Sequence, residues 1–205
     1  MTYFTVVNVF TLKNPDEAEA FEARFGTHVQ WMREREGFQA HQAVRQDDEP
    51  ATYVNFGWWD KPESFQAVMA SDTFQAHAKE FHELVDVVAD PSLGVLSLQG
   101  QASAGEAPLV ALEFIEAKGD QEEFEAAYAA YAQAAARAAG FAWADLAKSL
   151  FTPGKYTAVT RWEDRDGFAA AKALPQYAAL TALATIRTVT AAPVAGTRTP
   201  EGATA

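Results

Sequence analysis

The chain opens on an alternating run. From Thr2 to Leu12, residues rich in Val, Phe, Thr and Tyr place Phe4, Val6, Asn8 and Phe10 on one face of a strand. The period then lengthens. Asn14-Pro15-Asp16-Glu17 combines a capping Asn, a Pro suited to the first turn and a Glu at capping-box spacing. Phe21, Phe25, His28 and Met32 follow at helical spacing, and Gly37 supplies the left-handed stop. Strands are expected over Phe38–Gln46 and Thr52–Trp59, joined by the turn Asp47-Asp48-Glu49-Pro50. Asp60-Lys61-Pro62-Glu63 starts a short helix carrying Phe65, Val68 and Met69. Ser71-Asp72 recaps a second segment with Phe74, His77, Ala78 and Phe81 on one face. A loop over Asp86 to Leu93 then leads to a closing strand at Gly94–Leu98. The order is β-α-β-β-α-β, an antiparallel sheet with helices on one face.

Shifted by 103 positions, the pattern repeats. Phe21 falls on Phe124, Gly37-Phe38 on Gly140-Phe141, Pro50 on Pro153, Tyr53 on Tyr156, Trp59 on Trp162 and Phe65 on Phe168. The second copy reads as strand Leu109–Ile115, helix Asp120–Ala139, strands Phe141–Leu150 and Tyr156–Trp162, helix Arg165–Ala184 and strand Ile186–Ala191. The expected organisation is a first repeat over 1–99, a linker over 100–107, a second repeat over 108–196 and a flexible tail over 197–205. Each sheet leaves one face bare, and two copies packed sheet to sheet would bury both. The fold class is therefore α+β: two tandem ferredoxin-like repeats forming a pseudo-dimeric α+β barrel. Self-association through sheet edges is open to it, which leaves room for a homodimer.

Where the copies differ points to function. Asn8, Asn55, His77 and Lys79 of the first copy meet Ala111, Ala158, Leu180 and Ala182 in the second. Scaffold aromatics are kept while interior polar groups are lost, so the first half reads as the working half and the second as structural. An amide such as Asn8 or Asn55 inside a strand needs a partner. Asn55 and Trp59 project from the same strand face, and together they could hold a phenolate or enolate oxygen. His77 shares a face with Phe74 and Phe81 and suits proton transfer near neutral pH; a satisfied core histidine is the competing reading. His28, where the second copy has Tyr131, is expected at a pocket rim, and His41 and His82 at the surface.

Composition narrows the classes. Of 205 residues, 49% are hydrophobic and 14 are Phe, which suits large buried apolar surfaces. A net charge of −12 disfavours nucleic acid and anionic membranes as partners. No Cys is present, which removes disulfides, thiolate nucleophiles and Cys-type metal sites and fits a cytoplasmic location. Nothing reads as a signal peptide or membrane span, and no dinucleotide, P-loop or zinc-protease motif is found. The expected site has no metal and no bound cofactor.

Gly37-Phe38, the strand Tyr53-Val54-Asn55-Phe56-Gly57-Trp58-Trp59, Phe65 and Phe74 resemble the antibiotic biosynthesis monooxygenase family of dimeric α+β barrels. The Asn55-x-x-x-Trp59 spacing resembles its cofactor-independent, quinone-forming members. That resemblance implies oxygenation by O2 of a polyphenolic, anthrone-like polyketide substrate without metal or flavin. It implies catalytic roles for Asn55 and Trp59; the residues' own placement adds His77 as the candidate base, and the expected substrate pocket draws on Asn8, Tyr53, Phe65, Val68, Phe74 and Lys79. It also carries a Tyr position onto Phe65 and an Arg position onto Lys79, two departures that remove a hydroxyl and a planar fork. Helical periodicity turns Lys79 towards solvent. Haem-degrading monooxygenases share the barrel. Asn8 sits where their strand Asn would be, but Val68 takes their Trp position and His77 lies one residue from their ligand position. A non-catalytic ligand-binding or stress-response barrel is the third reading.

Overall fold

The computed structural model describes residues 3–102 and 107–194. The proposed tail over 197–205 and half of the linker, residues 103–106, fall outside the described residues. The chain divides into two compact units, one built on Tyr3–Pro91 and the other on Ser92–Ala192.

In the first unit, β1 (Phe4–Leu12) pairs antiparallel with β3 (Thr52–Trp59), and β3 pairs with β2 (Phe38–Gln46). The β1/β3 register sets Asn8 directly opposite Asn55. The other edge of β1 runs beside the start of β4 (Val85–Gln99). The helical layer is α1 (Ala18–Met32), α2 (Pro62–Met69) and α3 (Asp72–Leu84). α1 buries Phe21, Phe25 and Met32, as their spacing predicts, and Val29 with them. Asn14 caps as expected, its side chain accepting from Asp16 N at 3.1 Å, but the turn it starts is 3-10 and the α-helix begins only at Ala18. Ser71 caps α3 by accepting from Phe74 N at 3.2 Å. Gly37 has φ +81, and a β-carbon there would collide with Asp60 and Ser64, so both conformation and space demand glycine.

In the second unit, β5 (Leu109–Ala117) pairs with β7 (Lys155–Trp162) and β8 (Ala184–Pro193). β6 (Phe141–Ser149) pairs with β7 on one side and with Ser92–Gln99 of β4 on the other. Its helices are α4 (Gln121–Ala135), α5 (Arg165–Lys172) and α6 (Pro175–Leu183). No helix among the described residues is long and apolar enough to cross a membrane.

Three sequence expectations are corrected. The segment Asp86 to Leu93 is not a loop: residues 85–99 are one strand, within which the division between the units falls after Pro91. The helix expected over Arg165–Ala184 is two helices. Leu174 takes an extended conformation (φ −64, ψ 144) because it precedes Pro175, and the chain restarts there. The last strands, expected at Gly94–Leu98 and Ile186–Ala191, start at Val85 and Ala184, and the offset left between the copies comes from α6, nine residues against thirteen in α3.

The two interiors are filled differently. Among the described residues, the first unit includes two separate clusters of buried apolar side chains. One contains Phe10, Phe21, Phe25, Val29, Tyr53 and Phe81; the other contains Phe4, Val6, Met32, Trp59 and Val68. In the second unit the corresponding side chains, from Phe124 and Tyr128 through to Trp162 and Phe168, join in one cluster.

Candidate active site

A cavity of about 300 Å³ separates the two clusters of the first unit, at the lower end of small-molecule pockets. It lies between the sheet and the helices. Phe25, His28, Val29 and Met32 of α1 line it, with Phe65 and Met69 of α2 and Phe74, Ala78, Phe81 and His82 of α3. The strands contribute Val6, Asn8 and Phe10, Phe38 and His41, Asn55, Gly57 and Trp59, and Val87 and Ala89. The wall is thus mostly apolar and rich in aromatic rings, with a few amide and imidazole groups on it.

Polar groups gather on β3 and its neighbours. Asn55, Gly57 and Trp59 share one strand face by the period of two. The amide oxygen of Asn55 is buried and has no hydrogen-bond partner, and such an atom calls for one. Trp59 is only 1% exposed and is held edge-on by Phe38 (ring centroids 5.2 Å) and Phe65 (5.5 Å). A methyl on Gly57 would stand 3.6 Å from Trp59 Nε1 and 3.9 Å from Asn55 Nδ2, so both N–H groups flank the bare α-carbon of residue 57. The second unit has Thr160 at the matching position. There Trp162 Nε1 donates to Thr160 Oγ1 at 2.8 Å, and the indole N–H is satisfied internally. Gly57 gives Trp59 no such acceptor.

Two histidines stand end to end. His28 Nδ1 lies 3.0 Å from His77 Nδ1. His28 faces the cavity, whereas His77 lies behind it and lines an outer hollow with Arg24, Thr27 and Glu80. Burial, with a smaller push from His77, lowers His28 to about 4, so it is neutral at physiological pH. On β2, His41 is 2% exposed and directly opposite Gly57, and its Nε2 is 3.3 Å from Arg33 Nη2. The expectation of a surface position for His41 is therefore wrong. A bulge between Phe38 and Ala40 shifts the alternation, so that Phe38 and His41 face the cavity together. His82 is exposed as expected but reaches the cavity mouth.

Asn8, Asn55, Trp59, Phe65 and Phe74 all lie on the cavity wall. Three other expected pocket residues do not. Tyr53 shares their strand face but sits deeper, packed on Phe21, and its hydroxyl donates to Glu22 at 2.7 Å. Val68 points into the cluster behind Trp59. Lys79 is exposed on α3. Sequence reasoning missed Gly57 and His41 and placed His28 only at the rim, although the pairs Gly57/Thr160, His41/Ala144 and His28/Tyr131 were readable at the 103-residue shift.

The second unit lacks this arrangement. Ala111, Ala144 and Ala158 replace Asn8, His41 and Asn55. Glu113, at the position of Phe10, is 2% exposed. Burial raises its carboxyl above the usual range, partly offset by Lys172 and by the hydroxyls of Tyr177, Thr188 and Tyr128.

The sequence profile of the antibiotic biosynthesis monooxygenase family matches residues 3–84 and again 110–183. No curated protein matches the sequence. Among solved structures, the chain is similar to an anthrone oxidase-like protein (16% identity, TM-score 0.74, covering 98% of this chain and 96% of that one). It is also similar to a monooxygenase candidate from Lactobacillus acidophilus NCFM (10% identity, TM-score 0.74, 94% of each chain). A staphylococcal pathogenesis regulator shares the fold more loosely (12% identity, TM-score 0.54, 93% of this chain and 99% of that one). At such identities these likenesses establish the fold alone, and the last shows that the fold serves more than one purpose. The two profile matches carry the assignment: this chain belongs to the antibiotic biosynthesis monooxygenase family, as a tandem of two family units, and is a monooxygenase.

Proposed function

We propose that the first unit is the active one and that it oxidises a phenolic, anthrone-like aromatic with O2, without metal or flavin. One observation supports this most. In a cavity walled by aromatic rings, the Asn55 carbonyl lacks a partner and the Asn55 and Trp59 N–H groups flank a glycine. A flat aromatic fits such walls. Its hydroxyl can donate to Asn55 Oδ1, and the oxygen left after deprotonation can accept from Asn55 Nδ2 and Trp59 Nε1. These donors act in a water-poor site, where they favour the anion strongly.

The anion is itself the reductant. Conversion of a ring CH2 to a carbonyl releases four electrons, and O2 accepts four. One oxygen atom becomes the new carbonyl and the other leaves as water with the two hydrogens. The protein's task is to bind, orient and ionise the substrate. The resemblance to cofactor-independent members carries the same implication, although Phe65 and the exposed Lys79 mean that this chain does without a pocket Tyr and Arg.

The test is turnover of a model anthrone by chelator-treated protein under ¹⁸O2. One labelled atom in the product, with O2 uptake well above the buffer blank, is the expected outcome. Unlabelled product, or uptake equal to the blank while the anthrone binds, would make the protein a carrier and refute the proposal.

A further inference from the structure

We infer that His28 and His77 form a two-ring proton relay that carries the substrate's hydroxyl proton from the cavity to the outer surface of the α1/α3 layer. This rests on the oxygenase reading above and adds the route of the proton. His28 and Phe81 line both the cavity and the outer hollow, and of the two only His28 has nitrogens that can carry a proton. Its Nδ1 is engaged with His77 Nδ1 at 3.0 Å, so Nε2 is the nitrogen left for a ligand. Two imidazoles joined Nδ1 to Nδ1 share one proton in that contact. With that proton on His28, Nε2 is a bare acceptor.

The step balances. The substrate O–H bond breaks and an Nε2–H bond forms on His28. The His28 Nδ1 proton crosses to His77 Nδ1, and the His77 Nε2 proton leaves to water in the outer hollow. Neither ring holds a charge at the end. The low proton affinity of buried His28 suits a carrier that must not trap the proton as imidazolium. The proton is needed again when the O–O bond breaks and water forms, and its return restores the starting tautomers.

The surroundings agree. Arg24 on α1 donates to the Glu80 carbonyl at 2.6 Å and pairs with Glu83 at 3.8 Å, which places charged groups of both signs at the outer end. Phe74, Phe81 and Trp31 pack around the His28 ring with centroids 5.2–5.8 Å away and shield it from bulk water. From the sheet, the facing polar groups are Asn8, Asn55 and His41, the last beside Arg33. The second unit lost both members together, with Tyr131 and Leu180 in their places.

The test uses the full chain, ¹⁵N-labelled at histidine, with 2-naphthol as a non-oxidised phenolic probe. Naphthol should shift the ring nitrogens of both His28 and His77, changing the tautomer of each. In turnover, His28→Phe should lower kcat about a hundredfold. His77→Gln should lower kcat about tenfold with KM unchanged, and added imidazole should restore part of the loss. Ring signals of both histidines that ignore naphthol, or full turnover by His77→Gln, would overturn the relay. If the rings respond but no anthrone is oxygenated, the oxygenase reading falls and the relay stands.

Discussion

Replacing Gly57 by Thr should stabilise the protein and disable it at once. The second unit shows what the side chain would do: Thr160 takes the indole N–H of Trp162 at 2.8 Å. In the first unit a β-carbon on Gly57 meets nothing closer than 3.6 Å, so the threonine fits without displacing backbone. Its hydroxyl would reach Trp59 Nε1 and divert the donor from the substrate oxygen. A hydrogen bond to a charged group is worth about 1.5–3 kcal/mol, and if it is made mainly in the transition state its loss slows turnover about ten- to a hundredfold. The same exchange replaces a strand glycine by a β-branched residue, a gain of about 0.5–1 kcal/mol. Urea unfolding reads the stability, anthrone oxidation reads the rate, and the Trp59 indole proton in an NMR spectrum reports the new bond directly. Gly57→Ala is the control, since it adds volume without an acceptor. Equal rate losses from Ala and Thr would show that space, and not the captured N–H, matters; an unchanged rate with Thr would refute the role given to Trp59.

Other expectations follow from the same geometry. Asn55→Ala should reduce turnover about ten- to a hundredfold while leaving the melting temperature nearly unchanged, because its buried carbonyl already lacks a partner. Trp162→Phe should lower the melting temperature with little effect on kcat, as Trp162 is fully buried and its N–H is bound internally. His28 is held at about 4 in the fold against 6.5 unfolded, so the unfolded chain binds the extra proton between those values and wild-type stability falls as pH drops through that window. The loss is at most about 3 kcal/mol, and His28→Phe should remove it in parallel denaturation series. Glu113 titrates in the opposite sense. Its raised folded value costs stability as pH rises above 4.5, so Glu113→Gln should gain on wild type in neutral solution and lose that advantage in acid.

Much of this was legible in the chain. Helix stripes such as Phe21/Phe25/Met32 and the strand Thr52–Trp59 are long, strongly periodic signals that leave little choice of element. The 103-residue shift exposed Asn8 and Asn55 because a duplicated sequence carries its own control. What escaped depends on local backbone detail. The bulge after Phe38 changes the face of His41, and no side-chain pattern announces a bulge. Asp86, Asp90 and Pro91 read as turn residues, yet a strand accepts them where it passes from one unit to the next and its ladder partner changes. Lys79 and Tyr53 were carried to the pocket by position. Lys79 is kept out by helical phase, and Tyr53 by its bond to Glu22.

The duplication also explains how such a site can be stable enough to keep. In the first unit the cavity splits the core in two, and Gly57, Asn8, Asn55 and His28 stand where packing alone would choose larger or apolar groups. On the function proposed above, each of those choices gives up stability for function, as sites generally do. The second unit shows what the same scaffold becomes once that demand is lifted. Thr160 fills the glycine position and satisfies the indole, alanines replace the amides, and tyrosines replace Phe25, His28 and Phe74 in one continuous core. Even there relaxation is incomplete, because Glu113 remains buried where the first unit has Phe10. A polar group in that place is not needed for folding of the scaffold, since Phe10 fills the same position in the first unit. The two halves therefore differ on one shared geometry: in the first a cavity opens beside the unpartnered Asn55 carbonyl, and in the second the matching side chains join in one cluster.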